Sequence, residues 1–143
     1  MSKNFIEGLI ERPFINIRQT EPLSKALEKL AKNNIGALPV LNSAGKLYGI
    51  ISERDIIKAL YKYENPNFLE NKVHIIMTKN VISCGKTVRS NDLMTLMTDN
   101  KIRHIPIVEN GLALGIVSIG DVVKRLLEKY QSESEYLKQY INT

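Results

Sequence analysis

A chain of 143 residues with 43% apolar and 24% charged side chains has the material for one core-bearing domain of ordinary globular composition. One cysteine, Cys84, excludes an internal disulfide and a multi-cysteine metal site, and it reads as a small buried hydrophobe in a reducing compartment. No apolar run approaches the roughly 18 residues of a membrane span, the N-terminus MSKNFIEGLIERP lacks a secretory apolar core, and a cytoplasmic protein is expected. The formal charge of +5 and pI of 9.3 favour anionic partners, but the signal is weak because the basic residues are scattered, and a solvated surface is the favoured reading.

In chain order, Phe14–Ile17 reads as a brief strand. Apolar residues at 23, 26, 27, 30 and 31 follow the spacing of an amphipathic helix. Ala37–Leu41 is a short apolar run with a proline near its middle, so an edge strand or a very short one is expected. A turn through Asn42–Gly45 leads into Lys46–Ile51, which predicts a hairpin. Ser52 then opens a helix expected to bury Ile56, Ile57 and Leu60. The polar, proline-broken stretch from Tyr63 to Asn67 begins a connector, placed at 63–72.

The pattern then recurs. Shifted by 67 positions, Ile15 meets Ile82, Thr20 meets Thr87, Asn33 meets Asn100 and Pro39 meets Pro106; after Asn42 the offset becomes 66, and Gly49, Ser52, Asp55 and Lys58 meet Gly115, Ser118, Asp121 and Lys124. Chance does not hold one register for so long, so the chain is an internal duplication. The second copy supplies a strand at Val81–Cys84, a helix with Ser90 as its expected N-cap, a hairpin from His104–Val108 to Leu112–Val117, and a helix burying Val122, Val123 and Leu126. The prediction is a mixed α/β (α+β) fold, β-α-β-β-α twice, packed sheet to sheet with pseudo-two-fold symmetry. Its boundaries are 6–62 and 73–130, with a helical tail at 131–143 whose Tyr136, Leu137, Tyr140 and Ile141 share a face that covers core or meets a partner.

The motif that carries chemistry is Gly-Ile-Ile-Ser-Glu-Arg-Asp (49–55) and its twin Gly-Ile-Val-Ser-Ile-Gly-Asp (115–121). Each ends a strand at a helix N-terminus, where free N–H groups and a partial positive charge suit a phosphate. The aspartate can accept two hydrogen bonds, as from a vicinal diol. The same Ser-x-x-Asp spacing also makes a capping box, and duplication alone does not choose between the two readings.

With the segments Ile35–Val40 and Ile102–Ile107, these motifs resemble the CBS-domain pair, or Bateman module, over about residues 6–130. The resemblance implies a non-catalytic regulatory module binding AMP, ADP, ATP or S-adenosylmethionine in two clefts, each built from both repeats, with no required cofactor. One implied cleft gathers Ile50, Ser52, Arg54, Asp55, Met77, Ile82, Ile102 and Arg103. The other gathers Ile10, Ile15, Ile35, Gly36, Ile116, Ser118, Gly120 and Asp121, and His104 is a further candidate for a phosphate contact. In the implied roles aspartate holds the ribose hydroxyls, serine the ribose or phosphate, and the apolar walls hold the base. Arg54 and Arg103 against Gly120 and Gly36 make the Ser52/Asp55 cleft the expected phosphate site. The resemblance also implies a homodimer through the motif helices, and an unidentified target protein.

Three other readings compete. An enzyme lacks a nucleophile–base constellation, since the histidines are only His74 and His104, and no metal-ligand cluster is visible. A nucleic-acid binder fits the pI but lacks a recognition motif or aromatic platform, with 6% aromatic residues and no tryptophan. A scaffold with vestigial clefts sits poorly with Ser/Asp pairs kept in both copies.

Overall fold

The computed structural model describes residues 4–141. The elements run α1 (Phe5–Ile10), β1 (Ile17–Arg18), α2 (Leu23–Asn33), β2 (Ala37–Leu41), β3 (Leu47–Ser52) and α3 (Glu53–Lys62). After a 3-10 turn at Phe68–Glu70 come α4 (Val73–Ile76), α5 (Ser90–Asn100), β4 (His104–Glu109), β5 (Leu112–Ser118) and α6 (Ile119–Ile141). Met1–Lys3, and Asn142 and Thr143 of the expected tail, lie outside the described residues.

The amphipathic helices form as their spacing dictates: α2 buries Leu23, Ala26 and Leu30, and α5 buries Leu93 and Met97. Both end in left-handed residues at matching repeat positions, Asn34 (φ 52) and Lys101 (φ 54), whose N–H groups return to the last turn. Ser90 is not the N-cap. Arg89 takes that place, and the buried Ser90 hydroxyl accepts a bond at 3.1 Å from Lys129 of α6.

The strands differ from expectation in two ways. The first strand of each repeat is shorter: β1 pairs in parallel only at Ile17–Val40 and Arg18–Leu41, and in the second copy a single bridge joins Cys84 to Ile107. Also, β2 is the central strand of β1-β2-β3, not an edge, despite Pro39. Pro39 stands opposite Ile50, whose N–H and carbonyl both turn away to Thr78. The missing proline donor therefore faces the β1 side, where pairing starts one residue later, at Val40.

The two hairpins meet at their turns, where Leu47 N–H reaches the Gly111 carbonyl at 3.3 Å and Ala113 N–H reaches that of Gly45 at 3.2 Å. Two apolar cores result, and each is completed by the other repeat. Ile6 of α1 joins the core of Leu93, Met97, Ile105, Ile107, Val117 and Val122. Val73 of α4, with Phe68 from the connector, joins that of Ile17, Leu30, Leu38, Val40, Ile51 and Ile56. This exchange brings the segments after α1 and α4 across to the motif turns of the opposite repeat.

Of the expected buried faces of α3 and α6, Ile56 and Val122 are fully inside and Leu126 is partly so, but Ile57, Leu60 and Val123 are exposed. Ala59 takes a buried place in α3 instead. The helix α6 passes residue 130 unbroken, and its last turns leave Tyr136, Leu137, Tyr140 and Ile141 on the surface instead of over core.

Candidate functional site: two clefts between the repeats

Both motif turns are capping boxes. Ser52 Oγ accepts from the Asp55 N–H at 3.2 Å, while Asp55 Oδ2 accepts from the Ser52 N–H and hydroxyl, each at 2.9 Å. In the second repeat the corresponding distances are 3.2, 2.9 and 3.0 Å. The serine and aspartate therefore hold the helix start and still present a carboxylate to the inter-repeat space. The clefts part company over what else that carboxylate meets.

At Asp55 the visitor is the segment after α4. Thr78 pairs with Ile50 through two backbone bonds of 3.0 and 2.8 Å, and its hydroxyl donates to Asp55 Oδ1 at 3.3 Å. Gly49 permits the approach: a Cβ there would stand 2.7 Å from both Met77 Sδ and the Thr78 carbonyl. Ile50, Ser52, Asp55 and Met77 are thus brought together around an added strand-like crossing. Ile102 instead packs into the second core, Ile82 is half-buried, and Arg54 and Arg103 are exposed. An open groove of about 480 Å³ lies alongside, lined by Met77, Tyr48, His74 and Lys79 among others, and neither Ser52 nor Asp55 lines it.

At Asp121 the visitor is a side chain. Arg12 donates from Nη1 to Oδ1 at 2.9 Å and from Nη2 to Oδ2 at 2.7 Å, and Nη2 also bonds the Ile116 carbonyl at 2.8 Å. The guanidinium takes the carbonyl whose repeat counterpart, on Ile50, receives the Thr78 N–H. The cleft remains open as a cavity of about 350 Å³, within the range of small-molecule sites. Ile15, Ile35, Gly36, Ile116, Ser118 and Asp121 line it, with His104 from the second repeat. Ile10 is in the core behind Gly115, and Gly120 is exposed beside the Ser118 hydroxyl.

Sequence reasoning missed Arg12, Phe14 and Asn34, which also line the cavity. The repeat register holds the signal for Arg12, since the shift of 67 lays it on Lys79. Gly36 also has a different meaning from the vacant position expected. A Cβ on it would meet Glu53 Oε1 at 2.8 Å and the His104 ring at 3.2 Å, so its smallness admits those side chains.

Electrostatics follow the contacts. Burial alone would raise the Asp121 carboxyl, but the bonds from Arg12, the donors of Ser118 and the Arg12 charge together hold it below the usual carboxylate range. Arg12 is raised in turn, chiefly by its bond to Asp121. Burial lowers His104 and favours the neutral imidazole; Glu53 and Asp121 oppose this and Arg103 adds to it. Burial raises Cys84 to about 11, which keeps it an inert thiol at neutral pH. Among the described residues no His/Cys/Asp/Glu group could hold a metal ion, and no helix is long and apolar enough to cross a membrane.

Two tandem repeats whose motif turns face crosswise clefts define a class, and the comparisons agree with it. The family model for the CBS domain matches residues 6–62 and again 73–128, so the chain belongs to the CBS-domain family as a tandem pair. A relative from Arabidopsis thaliana, the mitochondrial CBS domain-containing protein CBSX3, is 35% identical over 120 residues, 81% of this chain and 58% of that protein. The chain thus spans little more than half of that relative's length. Among solved structures, the CBS-domain protein ATU1752 from Agrobacterium tumefaciens has a TM-score of 0.75 at 35% identity, covering 83% of this chain and 90% of that one. The CBS domain pair of protein MJ0100, in complex with 5'-methylthioadenosine and S-adenosyl-L-methionine, has a TM-score of 0.76 at 28% identity, covering 90% and 99%.

Proposed function

We propose that this chain is a non-catalytic regulatory module that binds an adenosine-type ligand between its repeats, first in the Ser118/Asp121 cleft. The observation that carries the reading is the open cavity itself, about 350 Å³, with apolar walls from one repeat and a capped carboxylate from the other. In this arrangement Ile15, Ile35 and Ile116 flank the base, Asp121 accepts from the ribose hydroxyls, and the Ser118 turn lies near the 5' substituent. The Ser52/Asp55 cleft fills second or stays closed, because a ligand there must first part Thr78 from Ile50. This reverses the order that Arg54 and Arg103 suggest when the sequence is read alone.

The test is calorimetry and thermal melting with adenosine, AMP, ADP, ATP and S-adenosylmethionine against guanosine and cytidine counterparts. A ligand specific to the folded state adds about 2.7 kcal/mol at a hundredfold excess over its dissociation constant. Asp121→Ala is expected to remove the tight phase and Asp55→Ala to leave most of it. No shift with any adenosine compound at millimolar concentration rejects the reading. Self-association is also proposed, supported by the exposed Ile57, Leu60 and Tyr61 of α3 and Val123 and Leu127 of α6. Light scattering at 16.2 kDa across a wide concentration range would reject it.

A further inference from the structure

The following rests on the adenosine reading of the Ser118/Asp121 cleft and concerns which chemical class of ligand that cleft admits. An ionised carboxylate offers about four acceptor sites. Asp121 already receives four donors: Arg12 Nη1 on Oδ1, and Arg12 Nη2, the Ser118 N–H and the Ser118 hydroxyl on Oδ2. The Ser118 donors are fixed by the cap. Oδ2 is fully engaged and Oδ1 has room for one more donor, so a vicinal diol that donates two bonds to this carboxylate must displace at least the Arg12 Nη1 bond.

The displaced guanidinium then needs a partner. It leaves two charge-assisted bonds at 2.9 and 2.7 Å. A neutral nucleoside returns only hydroxyl contacts to Asp121 and leaves Arg12 with the Ile116 carbonyl and water in place of a carboxylate, so the exchange is unfavourable. A nucleotide brings its own anion, whose oxygens match the planar fork that the carboxylate had engaged. Arg12 can make this move because its side chain is 42% exposed while that of Asp121 is 17% exposed. Among the described residues that line the cavity there is no other lysine or arginine to blur the choice. The Asp55 cleft has no arginine on its carboxylate among the described residues, and a threonine hydroxyl donates to Asp55 Oδ1 at 3.3 Å instead.

We propose that Arg12 is a latch that exchanges Asp121 for an anionic group on the ligand, so that this cleft selects phosphorylated over neutral or cationic nucleosides. The latch is a positioning and selecting residue, and its signature is opposite effects on two ligands. Calorimetry compares adenosine and AMP on the wild type, Arg12→Gln and Arg12→Lys. In the wild type AMP binds at least about tenfold more tightly than adenosine, the size expected of one charge-assisted bond. Arg12→Gln weakens AMP by about tenfold and tightens adenosine, because Asp121 is now free. Arg12→Lys keeps the charge but not the fork: it retains part of the AMP preference and still admits adenosine more readily. Should Arg12→Gln fail to give a cooperative melt, the lysine variant carries the comparison.

If both compounds shift in the same direction, or the AMP-to-adenosine ratio is unchanged in either variant, Arg12 merely supports the fold and the latch is overturned while the adenosine reading stands. If neither compound binds the wild type, the adenosine reading fails and the latch falls with it.

Discussion

The two clefts begin from the same materials. Each has a glycine in its strand, a serine that caps the following helix, an aspartate that closes the capping box, and a segment arriving from a short helix of the other repeat. One arriving segment adds itself as backbone, Thr78 to Ile50, and sets its hydroxyl against Asp55. The other sends in Arg12, whose guanidinium binds the strand carbonyl and the carboxylate while the chain stands off. A duplicated scaffold can thus diverge in function through the residues that cross between copies, with the motif untouched. In the repeat register Arg12 falls on Lys79 and Thr78 on Glu11, so the two carboxylates are met by neighbouring positions of the arriving segments.

The largest expected effect comes from the exchanged helices, on which the whole comparison depends. Ile6 and Val73 are repeat counterparts, both fully buried, each in the core of the other repeat. Ile6→Ala should cost about 2–5 kcal/mol by chemical denaturation, with Val73→Ala smaller because fewer methyl groups are removed. An Ile6→Ala loss below about 0.5 kcal/mol, the range of surface substitutions, would mean that α1 is not seated in solution and that the Arg12 cleft is not built as described.

A sharper contrast lies in the paired glycines. At Gly49 a methyl group would come within 2.7 Å of Met77 Sδ and the Thr78 carbonyl, whereas at Gly115 the nearest atoms, of Ile107 and Ile10, are at 3.5 and 3.9 Å. Gly49→Ala should therefore destabilise by about 1–3 kcal/mol through overpacking. Gly115→Ala should stay within about 0.5 kcal/mol of the wild type. Equal effects in urea melts would show that the two clefts are equally open.

Much of this was legible in the sequence, and the remainder was hidden for physical reasons. The helices α2, α3, α5 and α6 and both hairpins announce themselves because a half-buried element repeats its apolar residues at its own period, and the duplication states that pattern twice. The short helices do not. At six and four residues, α1 and α4 each complete fewer than two turns, too little for a period to show. The motif turns could be located but not assigned, because a cap and a ribose site use the same serine and aspartate, and in the structure the cap is present in both. Arg12 was invisible as a partner because the residue it holds lies 109 positions away. Gly36 misled because sequence shows the absence of a side chain but not the neighbour that fills its place.

The smallest expected effect is the acid limb of stability, and it isolates the Arg12 pair without any ligand. In the folded protein Asp121 is held below the ordinary carboxylate range, while in the unfolded chain it returns to about 3.9. Above about pH 5 both states carry the ionised form and the stabilisation is fully present. As the pH falls further, the unfolded chain takes up its proton first, and the contribution is lost as the pH passes down through the folded value. Arg12→Gln removes the main lowering influence and leaves burial, which raises the carboxyl, against the Ser118 donors alone. The variant should therefore lose less stability than the wild type between pH 5 and pH 2. Because Arg12 is substantially exposed, the difference belongs to the range of surface ion pairs, about 0.2–1 kcal/mol. Urea melts at the two pH values measure it as a difference of differences, in which other groups titrating alike in both proteins cancel. Raised salt should shrink the gap, since the guanidinium side of the pair is open to counterions. Parallel acid limbs for the two proteins would place Arg12 in solvent, and the cleft beside Asp121 would then differ from its twin by shape alone.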